Sequence, residues 1–157
     1  MIVIGIDPGT DCGWAMLNAH TWGLRMGSGV WDLKPRRHEG GGMRYLRLRH
    51  YLADMLALCP PTCVAVIYEE VRRHMGTDAA HVYGGIVGVL TAVCEERSVP
   101  YSSIPVGTVK KAATGKGNAS KAAMLAAAQA KWGPLVVSTD EADALWIAET
   151  WLRENCG

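Results

Sequence analysis

Three groups of carboxylates stand where the surrounding residues are apolar. Asp7 closes the run Ile2–Ile6, Glu69 and Glu70 close the run Cys63–Tyr68, and Asp140 and Asp143 lie three apart in "STDEADALWIAETW". An ionised carboxylate at the end of a buried strand is costly unless something neutralises it. Four carboxylates, Asp7, Glu69 or Glu70, Asp140 and Asp143, drawn from two strand ends and one helix, would make a site of hard oxygen donors suited to Mg²⁺ or Mn²⁺ rather than zinc. Two ions roughly 4 Å apart are the usual apparatus for in-line cleavage of a phosphodiester. Each group also has an ordinary explanation. "DPGT" is turn chemistry, and acids in a helix's first turn favour its dipole. The three together are harder to explain that way.

The bases are segregated from these acids. From Val99 to Thr139 there is no Asp or Glu, yet Lys110, Lys111, Lys116, Lys121 and Lys131 fall there. A second basic stretch holds Lys34, Arg36, Arg37, Arg44, Arg47 and Arg49, with Glu39 as its only acid. The net charge of +1 hides this separation. A basic surface around an acidic centre is the footprint expected of a metal-dependent enzyme acting on a polyanion. Solvated charge on separate faces is the plainer account.

The elements that must position these residues follow from periodicity. Met1–Asp7 reads as a central strand, too apolar for an exposed edge. Cys12–Asn18 and Trp22–Leu33 read as two further strands, completing an antiparallel meander with bends at Gly23, Gly27 and Gly29. Leu48, Leu52, Met55 and Leu56 recur at helical spacing within Met43–Cys59, which Pro60 and Pro61 end. Cys63–Glu70 is a fourth strand, Asp78–Arg97 a helix containing Gly84, Gly85 and Gly88, and Tyr101–Pro105 a fifth strand. "GTVKKAATGKGNAS" reads as a loop or broken helix, ahead of helices at Lys121–Trp132 and Ser138–Glu154. Ser138 and Glu141 fit a capping box. The expected order is β-β-β-α-β-α-β-α-α, with no internal repeat.

A chain of 157 residues suits one domain, 1–157. The apolar stretches Cys63–Tyr68 and Gly84–Val93 are too short or too Gly-rich to span a bilayer, and Met1 runs straight into strand-like sequence without a basic leader. The expected location is therefore the cytoplasm, with no membrane partner. The cysteines, at positions 12, 59, 63, 94 and 156, are odd in number and lack zinc-finger spacing, which suggests buried free thiols. The five histidines carry no ligand motif.

Taken in series, these motifs resemble those of the RuvC Holliday-junction resolvases. "GIDPGT" looks like the first family motif, "YEEV" the second, "DEADALWIA" the acidic helix and "VKKAATGKGNASK" the basic loop. The resemblance runs over nearly the whole chain, in the right order. It implies an α/β fold of the ribonuclease H type: a mixed five-stranded sheet, first three strands antiparallel, with helices on both faces. Asp7, Glu69, Asp140 and Asp143 would then bind two Mg²⁺ ions, with Mn²⁺ able to substitute. Glu70 would turn away, since neighbouring strand residues face opposite ways. Lys110 and Lys121 match the basic residues near the scissile phosphate, Lys121 with a catalytic part. Lys111 and Lys116 would add phosphate contacts, and Gly107, Gly115 and Gly117 would let backbone approach DNA. The reaction implied is paired hydrolysis of a four-way or other branched DNA in recombination, repair or phage DNA processing, leaving 5′-phosphate and 3′-hydroxyl ends. The cell would be bacterial or phage-infected.

Two further expectations concern partners. Relatives stack a phenylalanine on bases shortly after the second-motif glutamate. This chain has no Phe, and Arg72 stands there, beside Arg73. A guanidinium can stack on a base and pair with phosphate. The family is dimeric, and Gly84, Gly85 and Gly88 would permit close packing between subunits or within one. The alternatives are a ribonuclease H-like enzyme acting on RNA and a non-catalytic junction-binding protein. An actin-like nucleotide binder would need a second domain and leave the Asp-x-x-Asp helix unexplained.

Overall fold

The computed structural model describes residues 1–21 and 23–156. Five strands form one sheet: β1 (Ile2–Asp7), β2 (Asp11–Asn18), β3 (Leu24–Asp32), β4 (Val64–Glu70) and β5 (Tyr101–Pro105). Their spatial order is β3-β2-β1-β4-β5. β1 and β2, and β2 and β3, pair antiparallel, whereas β4 lies parallel to both β1 and β5. β1 is thus the central strand, as its uniform apolarity requires. Of the expected third strand, Trp22 lies outside the described residues.

Alternation along the strands sorts their side chains onto two cores. Val3, Ala15, Leu17, Ala65, Ile67 and Ile104 pack on one face beneath α3 (Val106–Thr114), α4 (Lys121–Trp132) and α5 (Thr139–Cys156). Ile4, Ile6, Val64 and Val66 pack on the other beneath α1 (Gly42–Ala57) and α2 (Thr77–Glu96). Leu145 and Ile147 of α5 are fully buried. Each such side chain contributes on the order of 2 kcal/mol of transfer free energy, so α5 is anchored chiefly by this face.

Glycine decides how closely α5 approaches. A side chain at Gly5 would overlap the Ala144 carbonyl, and one at Gly13 the Asp140 carbonyl. Gly13 is paired with Asp7 across β1 and β2. The backbone of α5 therefore rests directly on the sheet, next to the end of the first strand.

Several expectations need correction. Val106–Thr114 is a regular helix rather than a loop or broken helix, so ten main elements replace nine. Buried Val109 seats it, and Gly115 ends it in the left-handed region at φ +79°. The capping box is half formed. Ser138 Oγ accepts from the N–H groups of Asp140 (3.2 Å) and Glu141 (3.5 Å). Glu141 does not return the bond; it turns onto β3, where Ser28 Oγ donates to it at 2.6 Å. Cys12, Cys59 and Cys94 are buried, but Cys63 and Cys156 are exposed. Among the described residues, α2 alone is long and apolar enough to cross a bilayer by length and composition. Its Ile86, Leu90, Val93 and Cys94 are instead buried in the second core.

Candidate active site

The same alternation aims the acids. Asp7 shares the face of Val3, and Glu69 that of Ala65 and Ile67, so both look toward α5. Glu70 has the opposite parity and is engaged by Arg72 Nε at 3.3 Å. Asp140 and Asp143 open α5 and lie about one turn apart, facing the same sheet end. Two neighbouring strand ends and one helix start thus deliver four carboxylates to one end of the molecule.

Each of the four resists ionisation. Burial, then the charges of Glu69, Asp143 and Asp140, push Asp7 well above the ordinary carboxylate range. Burial and Asp143 raise Glu69 to about 7, against the pull of Lys110 and Lys121. Asp143 rises to about 6, chiefly through burial. Asp140 is raised by burial too, with Lys121 opposing; the Lys121 ammonium stands 3.9 Å from its carboxylate. Among the described residues no three of these side chains converge to metal-ligand distance. They interact through charge while standing apart, as like charges do. The donor set is nevertheless all carboxylate oxygen, and it fits a hard divalent cation.

The lysines divide. Lys110, half-buried on α3, and Lys121, exposed at the start of α4, act electrostatically on Glu69 and Asp143. Lys111 is turned away, lining a groove of about 500 Å³ with Thr108 and Glu154. Lys116 is exposed in the turn after α3. Arg72 and Arg73 project from the segment after β4 and line a recess of about 320 Å³ with Pro105 and Gly107. The three glycines of α2 also divide. A side chain at Gly85 would strike the ring of Tyr45, so its packing is within the chain, whereas Gly84 and Gly88 face open space.

The roles of four residues escaped the motif reading. Gly5 and Gly13 set the height of the acidic helix, and their signal was a glycine inside an apolar strand. Lys34 bonds both oxygens of Asp11, at 3.0 and 3.1 Å, and opposes the raised value of Asp140. No local pattern links residues 23 apart. Tyr83 of α2 accepts from the Val71 N–H at 3.1 Å and donates to the Glu69 carbonyl at 2.9 Å. Its spacing marked it only as a helix residue.

The chain is similar to known proteins over most of its length. Residues 3–151 match the family model described as crossover junction endodeoxyribonuclease RuvC. A curated protein of that name from Anaeromyxobacter sp. strain Fw109-5 is 32% identical, the match covering 100% of this chain and 75% of that protein. One from Pelodictyon phaeoclathratiforme is 31% identical over 94% of this chain and 78% of its own. Among solved structures, Thermus thermophilus RuvC matches at TM-score 0.78 and 26% identity, over 100% of this chain and 97% of that one. A structure of the T. thermophilus protein in complex with Holliday junction substrate also gives TM-score 0.78 at 26% identity, covering 96% of this chain and 92% of that one.

Proposed function

The chain belongs to the crossover junction endodeoxyribonuclease RuvC family, and from that premise we propose that it resolves Holliday junctions with Asp7, Glu69, Asp140 and Asp143 as its metal-binding residues. The observation that carries this reading is that two adjacent strand ends and the first turns of α5 place Asp7, Glu69, Asp140 and Asp143 at one end of the sheet, near enough to act on one another through charge. Such groups cost stability as free anions and gain it from a divalent cation, which favours their ionised form.

The enzyme is a metal-dependent endodeoxyribonuclease of DNA recombination and repair. In the finer reading the metal is Mg²⁺, two per site, with Mn²⁺ able to replace it. Bound there, the ions would supply electrophilic activation of the scissile phosphate and of the attacking water. The chain's own residues do the rest. Asp7 and Glu69, fixed at adjacent strand ends, and Asp140 and Asp143, fixed on α5, hold the cations on the α5 side of the sheet. Lys121 and Lys110 offset the negative charge that gathers as phosphate approaches and hold the DNA backbone against the site. Lys111 and Lys116 extend the basic surface, Lys111 from the neighbouring groove. Arg72 and Arg73 meet the junction from the segment after β4, Arg72 by exchanging Glu70 for a phosphate or base.

Residues 1–157 act as one nuclease domain in this reading, supported by two cores that share one sheet. A four-way junction has near-twofold symmetry, and paired incision calls for two copies of the chain. The exposed side of α2 around Gly84 and Gly88 provides a surface on which two helices can approach closely. The reaction takes place in the cytoplasm of a bacterial or phage-infected cell.

End-labelled four-way, three-way and flap DNA, with an RNA duplex as control, test this with Mg²⁺ and with EDTA. Paired nicks in opposing strands of the four-way junction, present only with the metal, are expected. No metal-dependent cut in branched DNA, or faster cutting of the RNA, would overturn it.

A further inference from the structure

The strand that carries Glu69 outruns its neighbour. β1 and β4 are paired only as far as Ile6 and Tyr68. The Val66 N–H bonds the Pro100 carbonyl on the β5 side. In a parallel strand the residues alternate the edge to which their backbone groups point, so positions 67, 69 and 71 point toward β1. The Glu69 carbonyl and Val71 N–H therefore face the place where β1 would continue. It cannot continue as a partner. The residue after Asp7 is Pro8, which has no N–H to give.

The Tyr83 hydroxyl stands in for the missing strand. It donates to the Glu69 carbonyl at 2.9 Å and accepts from the Val71 N–H at 3.1 Å. A hydroxyl is among the few side-chain groups that can do both at once. The ring is itself packed against His74, centroids 4.8 Å apart, in the segment that carries Arg72 and Arg73.

We infer that Tyr83 is a positioning residue for Glu69: by completing the unpaired edge of β4 it holds the backbone from Glu69 to Val71, and so aims the Glu69 carboxylate at the metal site. The inference rests on the reading of Glu69 as a metal ligand. Tyr83 acts through the backbone at the end of β4, which its hydroxyl bonds at Glu69 and Val71. Without its hydroxyl, two backbone groups lose their partners and the peptide planes on either side of Glu70 are held from the β5 side alone, so that the Glu69 backbone and its side chain can shift.

Tyr83→Phe removes one oxygen and keeps the ring beside His74. Mn²⁺ affinity of the DNA-free protein, titrated by electron paramagnetic resonance, is expected to fall roughly tenfold, the lower end of what lost outer partners of metal ligands cost. Junction affinity in EDTA stays unchanged, and the Mg²⁺ concentration for half-maximal cleavage rises in parallel. Glu69→Gln is the control. If it leaves Mn²⁺ affinity unaltered, the metal-ligand reading itself fails. If it weakens binding while Tyr83→Phe does not, the positioning role is overturned. A readout independent of any variant is amide exchange in the unmodified protein. The Val71 N–H, beyond the last paired strand residue, is expected to exchange slowly, and exchange at the rate of a free loop amide would equally overturn the role.

Discussion

Helix α5 shelters carboxylates in both of its halves and treats two of them, Glu149 and Asp143, oppositely. Glu149, in its C-terminal half, is only 5% exposed. It receives the Arg153 Nε at 2.8 Å and is also bonded by Lys131. Those two cations lie over the Trp146 ring, at 5.3 and 5.7 Å. At the other end, Asp143 has no hydrogen-bonded cation among the described residues, and its carboxyl is pushed up to about 6. Glu149 is thus satisfied within the fold, as Glu141 is by Ser28, whereas Asp143 on the same helix is left wanting. Burial without a partner is a defect in a purely structural site and a requirement in one that must capture a cation. The contrast separates the residues that build the fold from those that the fold holds ready.

The sharpest way to break that contrast is Asp7→Asn. The amide nearly preserves shape and removes the charge that Glu69, Asp143 and Asp140 jointly repel. Junction cleavage is expected to fall by on the order of 10²–10³-fold or more, the range seen when one electrostatic stabiliser is removed. The melting temperature of the metal-free protein should rise. Full activity in this variant would remove Asp7 from the site. A lower melting temperature would mean that its charge has a partner within the fold.

Glu149→Ala asks the converse question at the other end of α5. Removing the carboxylate strands Lys131 and Arg153, but their side chains are 32% and 49% exposed and can reach water. The loss should accordingly be about 2 kcal/mol, below the 3–5 kcal/mol typical of a fully buried broken pair. For a domain of this size that lowers the melting temperature by about 4–8 °C. Cleavage per folded molecule is expected to hold. Loss of cleavage at unchanged stability would show that the two ends of α5 are not independent.

How much of this was legible depended on whether the cause was local. Asp7 and Glu69 were readable because each breaks the apolar pattern of its own strand, and Asp140 and Asp143 because three-residue spacing puts them on one helical face. The choice of Glu69 over Glu70 came from the family resemblance, alternation adding only that the two face opposite ways; in the fold Glu69 has the parity of Ala65 and Ile67. Helix α3 was harder. Its glycines and lysines suggest a loop, and burial of Val109 against distant elements overrides that preference. Glu141 illustrates the same limit. Its place three residues after Ser138 fits a cap, but Ser28, 113 residues away, holds it instead. Tyr83 was invisible because its role answers an absence, the N–H that Pro8 lacks.

A smaller effect sharpens the contrast without changing its chemistry, because protons compete for the unpaired carboxylates. Burial raises Glu69 from 4.5 to about 7 and Asp143 from 3.8 to about 6, with Asp7 raised beyond its usual range as well. A carboxyl raised on folding stabilises the folded state fully below its unfolded value, and that contribution is lost as pH rises through the folded value. The metal-free protein should therefore lose several degrees of melting temperature between about pH 4.5 and 7.5, the groups titrating together rather than one by one. Asp143→Asn should flatten part of that slope, which separates it from every other titrating group in the chain. Mg²⁺ should raise the melting temperature more at pH 7.5 than at pH 5, because cation and protons seek the same oxygens. If the slope is identical in the wild type and Asp143→Asn, Asp143 bears no unpaired charge in the folded protein. The two ends of α5 would then be alike.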